Sequence, residues 1–339
     1  MPRSDLPNKR VFVIGGSAGS IEALRNLLLA LPRDFPAPIL VVIHTPVDAS
    51  GQLSWVFQRD SKLVVLAAAN GEALKPAHVY IAPRNCHLTV ENGEIRLLSG
   101  PLENRHRPAI DPLFRSAALE YGPAVVGIIL SGYLDDGSLG LYEVKNCGGT
   151  AIVQDPDDAM APDMPRNAQE RVGPDYVVPI AELAPLMVRL ANEPIHVVAP
   201  KESYAMAEKK ESPGNPSVFT CPECHGTLWE VDEGNTLRFR CRVGHSFTAD
   251  SMLQDQSLDV ERALWAALRV LEENTDLSVR MATRARHTGR VHAEKRYSER
   301  SEESRRNAVI LRDLLTSGRR QEPSPARSLD EVDEQATAD

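Results

Sequence analysis

The chain is predicted to fold as a doubly wound α/β domain, a mostly parallel sheet with helices on both faces, followed by a small zinc-ribbon-like unit and C-terminal helices. Three observations lead there. Val11-Phe12-Val13-Ile14, Ile39-Leu40-Val41-Val42-Ile43 and Val125-Val126-Gly127-Ile128-Ile129-Leu130 are unbroken apolar runs, the composition of strands buried on both faces. Helical patterns such as Ile21-Glu22-Ala23-Leu24-Arg25-Asn26-Leu27-Leu28 alternate with them, as βαβ units require. Just past the three strand ends stand Ser17, His44 and the pair Asp135-Asp136, and a doubly wound sheet gathers such ends on one rim.

The elements follow in order. The first domain is expected over residues 1–193, with Gly and Pro punctuating its connections. An antiparallel insertion is expected from Val79-Tyr80-Ile81 and His87-Leu88-Thr89-Val90, with a hairpin turn at Glu91-Asn92-Gly93-Glu94 before Ile95-Arg96-Leu97-Leu98. A helix from Leu113 to Tyr121 comes next. Residues 194–217 are polar and proline-bearing, a linker, and 218–250 form the compact cysteine unit. Over 251–320, Leu258, Val260, Leu264, Leu268 and Leu271 recur at helical spacing, and Val309, Ile310, Leu311, Leu314 and Leu315 close a second helix. These helices offer either a hairpin or a coiled-coil self-association, the hairpin being the simpler. Residues 321–339 are acidic and expected to be disordered.

A net charge of −9 argues against general nucleic-acid binding, which favours a basic surface. The first ten residues lack the apolar core of a signal peptide, and no run of about 18 apolar residues could span a bilayer, so a cytoplasmic protein is expected. The five cysteines do not form a disulfide framework: Cys86 and Cys147 are isolated and three cluster with a histidine.

Gly15-Gly16-Ser17-Ala18-Gly19-Ser20 places Ser17 in a sharp strand-to-helix turn. Such a turn exposes the hydroxyl and aims helix N-terminal amides at a developing oxyanion. A serine needs a base within hydrogen-bond reach, which His44 could supply from the neighbouring strand end. A carboxylate must hold the imidazole, and both Asp135 and Asp136 offer one. Each part has a plainer use. Glycine turns also bind phosphates, though this one matches neither G-x-G-x-x-G nor the P-loop, and either aspartate could cap the helix starting near Ser138. The order Ser, His, Asp also differs from that of α/β-hydrolases.

Five ordered segments resemble the catalytic domain of the chemotaxis protein-glutamate methylesterases: the Gly-Gly-Ser-Ala-Gly turn at 15–19, Val41 to Pro46, Tyr80-Ile81-Ala82-Pro83 with His87, Arg105 to Phe114, and Leu130-Ser131-Gly132 through Asp136-Gly137. The resemblance implies a doubly wound fold and a triad of Ser17 as nucleophile, His44 as base and Asp136 as the orienting carboxylate. It implies hydrolysis of glutamyl methyl esters on a methyl-accepting signalling receptor, with glutamine deamidation in some members and no cofactor for catalysis. Backbone amides near Ala18 and Tyr133 are expected to form the oxyanion hole, and Arg107, with Arg84 and Arg105, to meet acidic substrate helices. Chemotaxis members usually carry an N-terminal receiver, whereas about ten residues precede the first strand here, so a chain without that switch is expected. The loop Gly132-Tyr133-Leu134-Asp135-Asp136-Gly137 departs from the family's usual Gly-Met-Gly-x-Asp-Gly. A non-catalytic adaptor, or a hydrolase of another protein ester or amide, are the alternatives to receptor demethylation.

Cys221-Pro222-Glu223-Cys224 and Cys241-Arg242-Val243-Gly244-His245 supply C-x₂-C and C-x₃-H on two tight turns, the ligand set of a closed structural zinc site. The expected ligands are Cys221, Cys224, Cys241 and His245. Cys221 to His225 also matches the C-x-x-C-H haem-attachment pattern, but haem attachment requires export. With the chain acidic overall, a protein partner for this unit is favoured over nucleic acid.

Overall fold

The computed structural model describes residues 10–44, 53–195, 214–233 and 236–317. Residues 196–213 of the linker expected over 194–217, the tail at 321–339 and the Thr45-Pro46 part of the family-like segment lie outside them, and residues 215–217 of that linker belong instead to a strand, Asn215–Thr220. Among the described residues, the first domain is built on seven strands: β1 (Val11–Gly16), β2 (Ile39–Ile43), β3 (Val64–Ala67), β4 (His78–Ile81), β7 (Val125–Ile129), β8 (Thr150–Gln154) and β9 (Tyr176–Val178). They form one parallel sheet in the order β3-β4-β2-β1-β7-β8-β9. The central strands β1, β2 and β7 are buried along their whole length. That burial is why they read as continuous apolar runs rather than as alternating ones.

The side chains of β1 divide the core in two. Val11 and Val13 join Leu40, Val42 and Ile129 beneath α3 (Ile110–Tyr121), whose Leu113, Phe114 and Ala117 cover that face together with α4 (Ser138–Asn146) and α5 (Asp163–Val172). Phe12 and Ile14 face the other way, against Leu24, Leu27 and Leu28 of α1 (Ser20–Ala30) and Leu186 and Leu190 of α6 (Ile180–Asn192). In α1 the buried positions 20, 23, 24, 27 and 28 recur at helical spacing, so one stripe meets the sheet.

The insertion differs from expectation. The β5 (His87–Glu91) and β6 (Glu94–Leu98) strands form a two-stranded hairpin, its turn made by Asn92 and Gly93 at positive φ. Val79-Tyr80-Ile81, by contrast, is the middle of β4, a parallel strand between β2 and β3 of the main sheet. Its three apolar residues are buried, which a solvent-facing hairpin would not achieve. Both outermost strands, β3 and β9, carry exposed positions, so their sequences lack the unbroken apolar signal of the centre.

The chain order turns from one side of β1 to the other between β2–β4 and β7–β9, so the loops after β1 and β7 diverge and leave a crevice at the carboxyl ends, a topological switch point. Further along the chain, β10 (Asn215–Thr220), β11 (Thr227–Glu233), β12 (Thr236–Cys241) and β13 (Ser246–Thr248) make an antiparallel ribbon that belongs to the same compact unit, which runs to Leu253. The second unit, from Gln254, contains most of α7 (Ala249–His287) and all of α8 (Val291–Ser317). These helices are joined by a three-residue turn, with Arg286 Nε on Glu294 at 2.6 Å and Arg312 pairing with Glu272, which is the hairpin arrangement. No helix among the described residues is long and apolar enough to cross a membrane.

Phe114 is fully buried at the centre of one core half. Phe114→Ala is expected to cost about 3–5 kcal/mol. Urea unfolding checks it: the midpoint should fall with little change in slope.

Candidate functional site

Ser17 is the first residue past β1, and its backbone is held from two sides. Its N–H donates to Ser131 O (2.9 Å) beyond β7, while its carbonyl accepts from Ser20 N (3.1 Å) and Ser20 Oγ (2.5 Å). Ser131 Oγ donates to Ala18 O (2.7 Å) and accepts from Ala161 N (2.8 Å), tying the serine turn to the chain after β8. Gly19 adopts φ +78° immediately before α1, and a Cβ there would stand 2.6 Å from Met160 Cβ and 2.7 Å from Ser131 Oγ. Only glycine fits that position. On the far side, a Cβ on Gly132 would fall 2.9 Å from Ser17 Cβ, so the backbone of the 131–133 loop lies directly against the serine.

His44 follows β2. Its N–H donates to Gly16 O (3.0 Å), continuing the β1–β2 ladder by one step and setting His44 beside Ser17. The ring Nε2 lies 2.8 Å from Asp136 Oδ2, with both side chains almost wholly buried (4% and 3% accessible). Asp136 in turn accepts Ile110 N on Oδ2 (2.7 Å), and Asn104 Nδ2 (3.0 Å) and Asp111 N (3.4 Å) on Oδ1. Burial alone would raise its pKa. The hydrogen bond and charge of His44, with the Ile110 amide and the Asn104 side chain, outweigh burial and hold the carboxyl well below the usual range. Asp136 is therefore a carboxylate that only accepts. His44 Nε2 must carry the proton in this contact, so that in the neutral ring the lone pair falls on Nδ1. Among the described residues no hydrogen bond joins Ser17 Oγ to His44, a looseness common at such sites before substrate binds.

The two aspartates, alike in spacing, point in different directions, and only Asp136 meets His44. Asp135 turns away to pair with Arg171 and to accept Thr248 Oγ1 at 2.8 Å. Neither aspartate side chain caps α4, whose first turn is led by Gly137 at φ +92°. Of the residues expected at the oxyanion, Ala18 directly follows Ser17, and Tyr133, 60% exposed, follows Gly132, the residue that lies against the serine. Arg107 is engaged by the chain around it: Nε and Nη2 donate to Asn85 Oδ1 (3.0 and 2.6 Å) in the loop before β5, and Nη1 donates to Gly100 O in its own loop.

Two residues that sequence reasoning did not single out complete the site. His106 stacks on His44 with ring centroids 3.6 Å apart and planes 12° apart. Burial, then the neighbouring His44, push its pKa down to about 3, so it presents a neutral aromatic face. Asn104 places one amide nitrogen between Asp136 Oδ1 and Asp111 Oδ2, both at 3.0 Å. Burial and the facing Asp136 charge raise the pKa of Asp111, which limits the negative charge in the pocket. Asn104 and Arg105 are consecutive left-handed residues (φ 47° and 69°), a local conformation no propensity pattern announces.

A strand-to-helix serine, a histidine and a buried carboxylate thus stand together at the switch point of a parallel sheet on an α/β fold. In comparisons with known proteins, the CheB methylesterase family model matches residues 12–187, more than half of the chain, and the chain belongs to that family. A putative protein-glutamate methylesterase/protein-glutamine glutaminase of Leptospira interrogans is 38% identical over 184 residues, covering 54% of this chain and 95% of that protein. Protein-glutamate methylesterase/protein-glutamine glutaminase 5 of Anaeromyxobacter dehalogenans is 38% identical over 198 residues, covering 56% of this chain and 54% of that one. The crystal structure of the Thermotoga maritima CheB methylesterase catalytic domain matches with a TM-score of 0.52 and 34% identity, over 54% of this chain and all of that one.

The His106 shift has a direct readout. Through pH 5–8 its ring carbon protons in the NMR spectrum should show no titration step, and a midpoint near 6.5 would contradict the neutral stack. Glu103 behaves oppositely. Burial raises its pKa, but Arg115 and Arg238 outweigh this and hold it at about 2. A depressed folded pKa stabilises above the ordinary 4.5 and is lost as pH falls toward 2, so Glu103→Gln should flatten that part of the acid-denaturation curve.

Proposed function

We propose that the chain hydrolyses methyl esters of glutamate side chains on a methyl-accepting signalling receptor in the cytoplasm, through Ser17, His44 and Asp136. The observation that carries this reading is the buried His44 Nε2 to Asp136 Oδ2 contact, one ladder step from Ser17. It is supported by membership of the CheB methylesterase family and by relatives named protein-glutamate methylesterase/protein-glutamine glutaminase.

The chemistry follows from the proton positions. Asp136 fixes the tautomer of His44 and stabilises the imidazolium that forms. His44 Nδ1 takes the Ser17 hydroxyl proton as Oγ attacks the ester carbonyl. The resulting oxyanion is met by the amides of Ala18, at the N-terminus of α1, and of Tyr133 in the loop against the serine. Collapse returns the proton to the leaving methoxide, releasing methanol, and water then hydrolyses the acyl-serine by the same base, restoring Oγ–H and a glutamate carboxylate. A glutamine side chain would enter the same acyl-serine with ammonia leaving, which accommodates the second activity in the relatives' names. His106, neutral and flat against His44, restricts the base to its own plane without adding charge.

Methanol release from methyl-labelled receptor membranes is the test. Ser17→Ala and His44→Ala should each lower turnover by about 10⁴-fold or more. Asp136→Asn should cost about 10⁴-fold with the fold intact, because an amide there can present a donor to Nε2 and favour the wrong tautomer. Undiminished release from the purified Ser17→Ala protein would sink the assignment. A serine-reactive phosphonate that fails to label the native chain would favour the non-catalytic adaptor instead.

A further inference from the structure

The antiparallel ribbon is bonded to the triad's support. Ser246 O accepts Asn104 N (2.8 Å), Ser246 N donates to Leu102 O (3.3 Å), and Thr248 N donates to Asn104 Oδ1 (3.2 Å). Asn104 thus receives the ribbon on its backbone and its amide oxygen while its amide nitrogen holds Asp136. Beside it, Arg238 Nη2 reaches Glu103 Oε2 (3.2 Å), and Thr248 Oγ1 reaches Asp135. Two residues further along the same loop, His106 lies on His44.

Directly before Ser246, the ribbon folds its two knuckles together. The ligand atoms of Cys221, Cys224, Cys241 and His245 all lie within 4.8 Å of one another. Cys224 Sγ to Cys241 Sγ is 3.6 Å, and His245 Nδ1 is 3.7 Å from Cys221 Sγ and 3.5 Å from Cys241 Sγ. Bonds of about 2.3 Å to a tetrahedral zinc put neighbouring ligand atoms about 3.8 Å apart, so the four side chains already span a zinc tetrahedron. Backbone amides of residues 223 and 224 point at Cys221 Sγ, and those of residues 243, 244 and 245 at Cys241 Sγ, the surroundings a thiolate ligand needs. His225 of the haem-like pattern is exposed and stands outside the cluster. A three-thiolate, one-imidazole set suits Zn(II) and closes all four positions.

We propose that Cys221, Cys224, Cys241 and His245 bind Zn(II), and that this knuckle is a positioning element for the hydrolytic centre, holding Asn104 against Asp136. The second part rests on the hydrolase reading above. Zinc loss frees Ser246 and Thr248 to move, Asn104 loses its fixed orientation, and Asp136 loses one donor and part of its grip on His44.

The full chain is tested in two stages. Elemental analysis should find about one zinc per chain, cobalt exchange should produce thiolate-to-cobalt charge-transfer absorption, and Cys224→Ser should abolish both. Chelation should then slow phosphonate labelling of Ser17 by about 10- to 100-fold and shift the downfield imidazole N–H proton of His44, with added zinc restoring both. If chelation unfolds the chain, zinc-loaded Thr248→Pro replaces it, since proline has no N–H for Asn104, with Thr248→Val, which keeps the N–H, as its control. Proline should move the His44 proton more than valine does. A metal-free protein with no cobalt spectrum overturns the site. A zinc protein whose labelling rate and His44 proton ignore both chelation and Thr248→Pro overturns the coupling. Failure of the zinc-loaded chain to label at all counts against the hydrolase reading, while the His44 proton still decides the coupling.

Discussion

Asp136 is buried beneath the rim of the sheet, where burial alone would raise its pKa. Four donors from three places in the chain converge on it instead: His44 from the end of β2, Asn104 from the loop before α3, and the Ile110 and Asp111 amides at the start of α3. A carboxylate at this depth is sustained only by such complete satisfaction, because each missing partner leaves a charge in a low-dielectric site. The tautomer of His44, the raised pKa of Asp111 and the positions of the two connecting loops all answer to this one charge. The helix N-terminus contributes as well, since α3 aims its first amides at the anion.

The sheet makes that convergence possible. Parallel strands deliver every β-to-α turn to the same edge, and the reversal of chain direction beside β1 opens a crevice between the turns after β1 and β7. Ser17 and Gly132 meet in it so closely that a Cβ on Gly132 would stand 2.9 Å from Ser17 Cβ. Backbone bonds, Ser17 N to Ser131 O and His44 N to Gly16 O, set these positions without side-chain freedom. A centre whose parts are fixed by the main chain needs little reorganisation when charge develops.

The ribbon extends the same logic beyond the sheet. A unit of this size has a small apolar core, Cys221, Leu228, Phe239, Cys241, Phe247 and Met252, and it gains order from polar contacts to the 102–104 loop and to Asp135. Those contacts are buried, and buried polar contacts specify one arrangement because mispairing is costly. The pair Arg171 with Asp135 and Asp250 adds a charged tie at the edge of the same surface.

What the sequence by itself determined is what depends on neighbours along the chain. Residues 11–14, 39–43 and 125–130 announce buried parallel strands because both faces must be apolar, and Gly15 to Ser20 announces a sharp turn because few other residues allow it. The Asn92-Gly93 hairpin and the two cysteine knuckles are equally local signals. Val79-Tyr80-Ile81 was ambiguous for the same reason: three apolar residues suit a hairpin or a sheet, and only pairing with β2 and β3 distinguishes them. Spacing alone could not separate Asp135 from Asp136, since adjacent residues share every local signal and differ only in the side of the loop they face. Tertiary structure sends one to His44 and the other to Arg171 and Thr248. Asn104 and His106 were invisible as site residues, because their partners lie 32 and 62 positions away and no periodicity marks the loop that carries them.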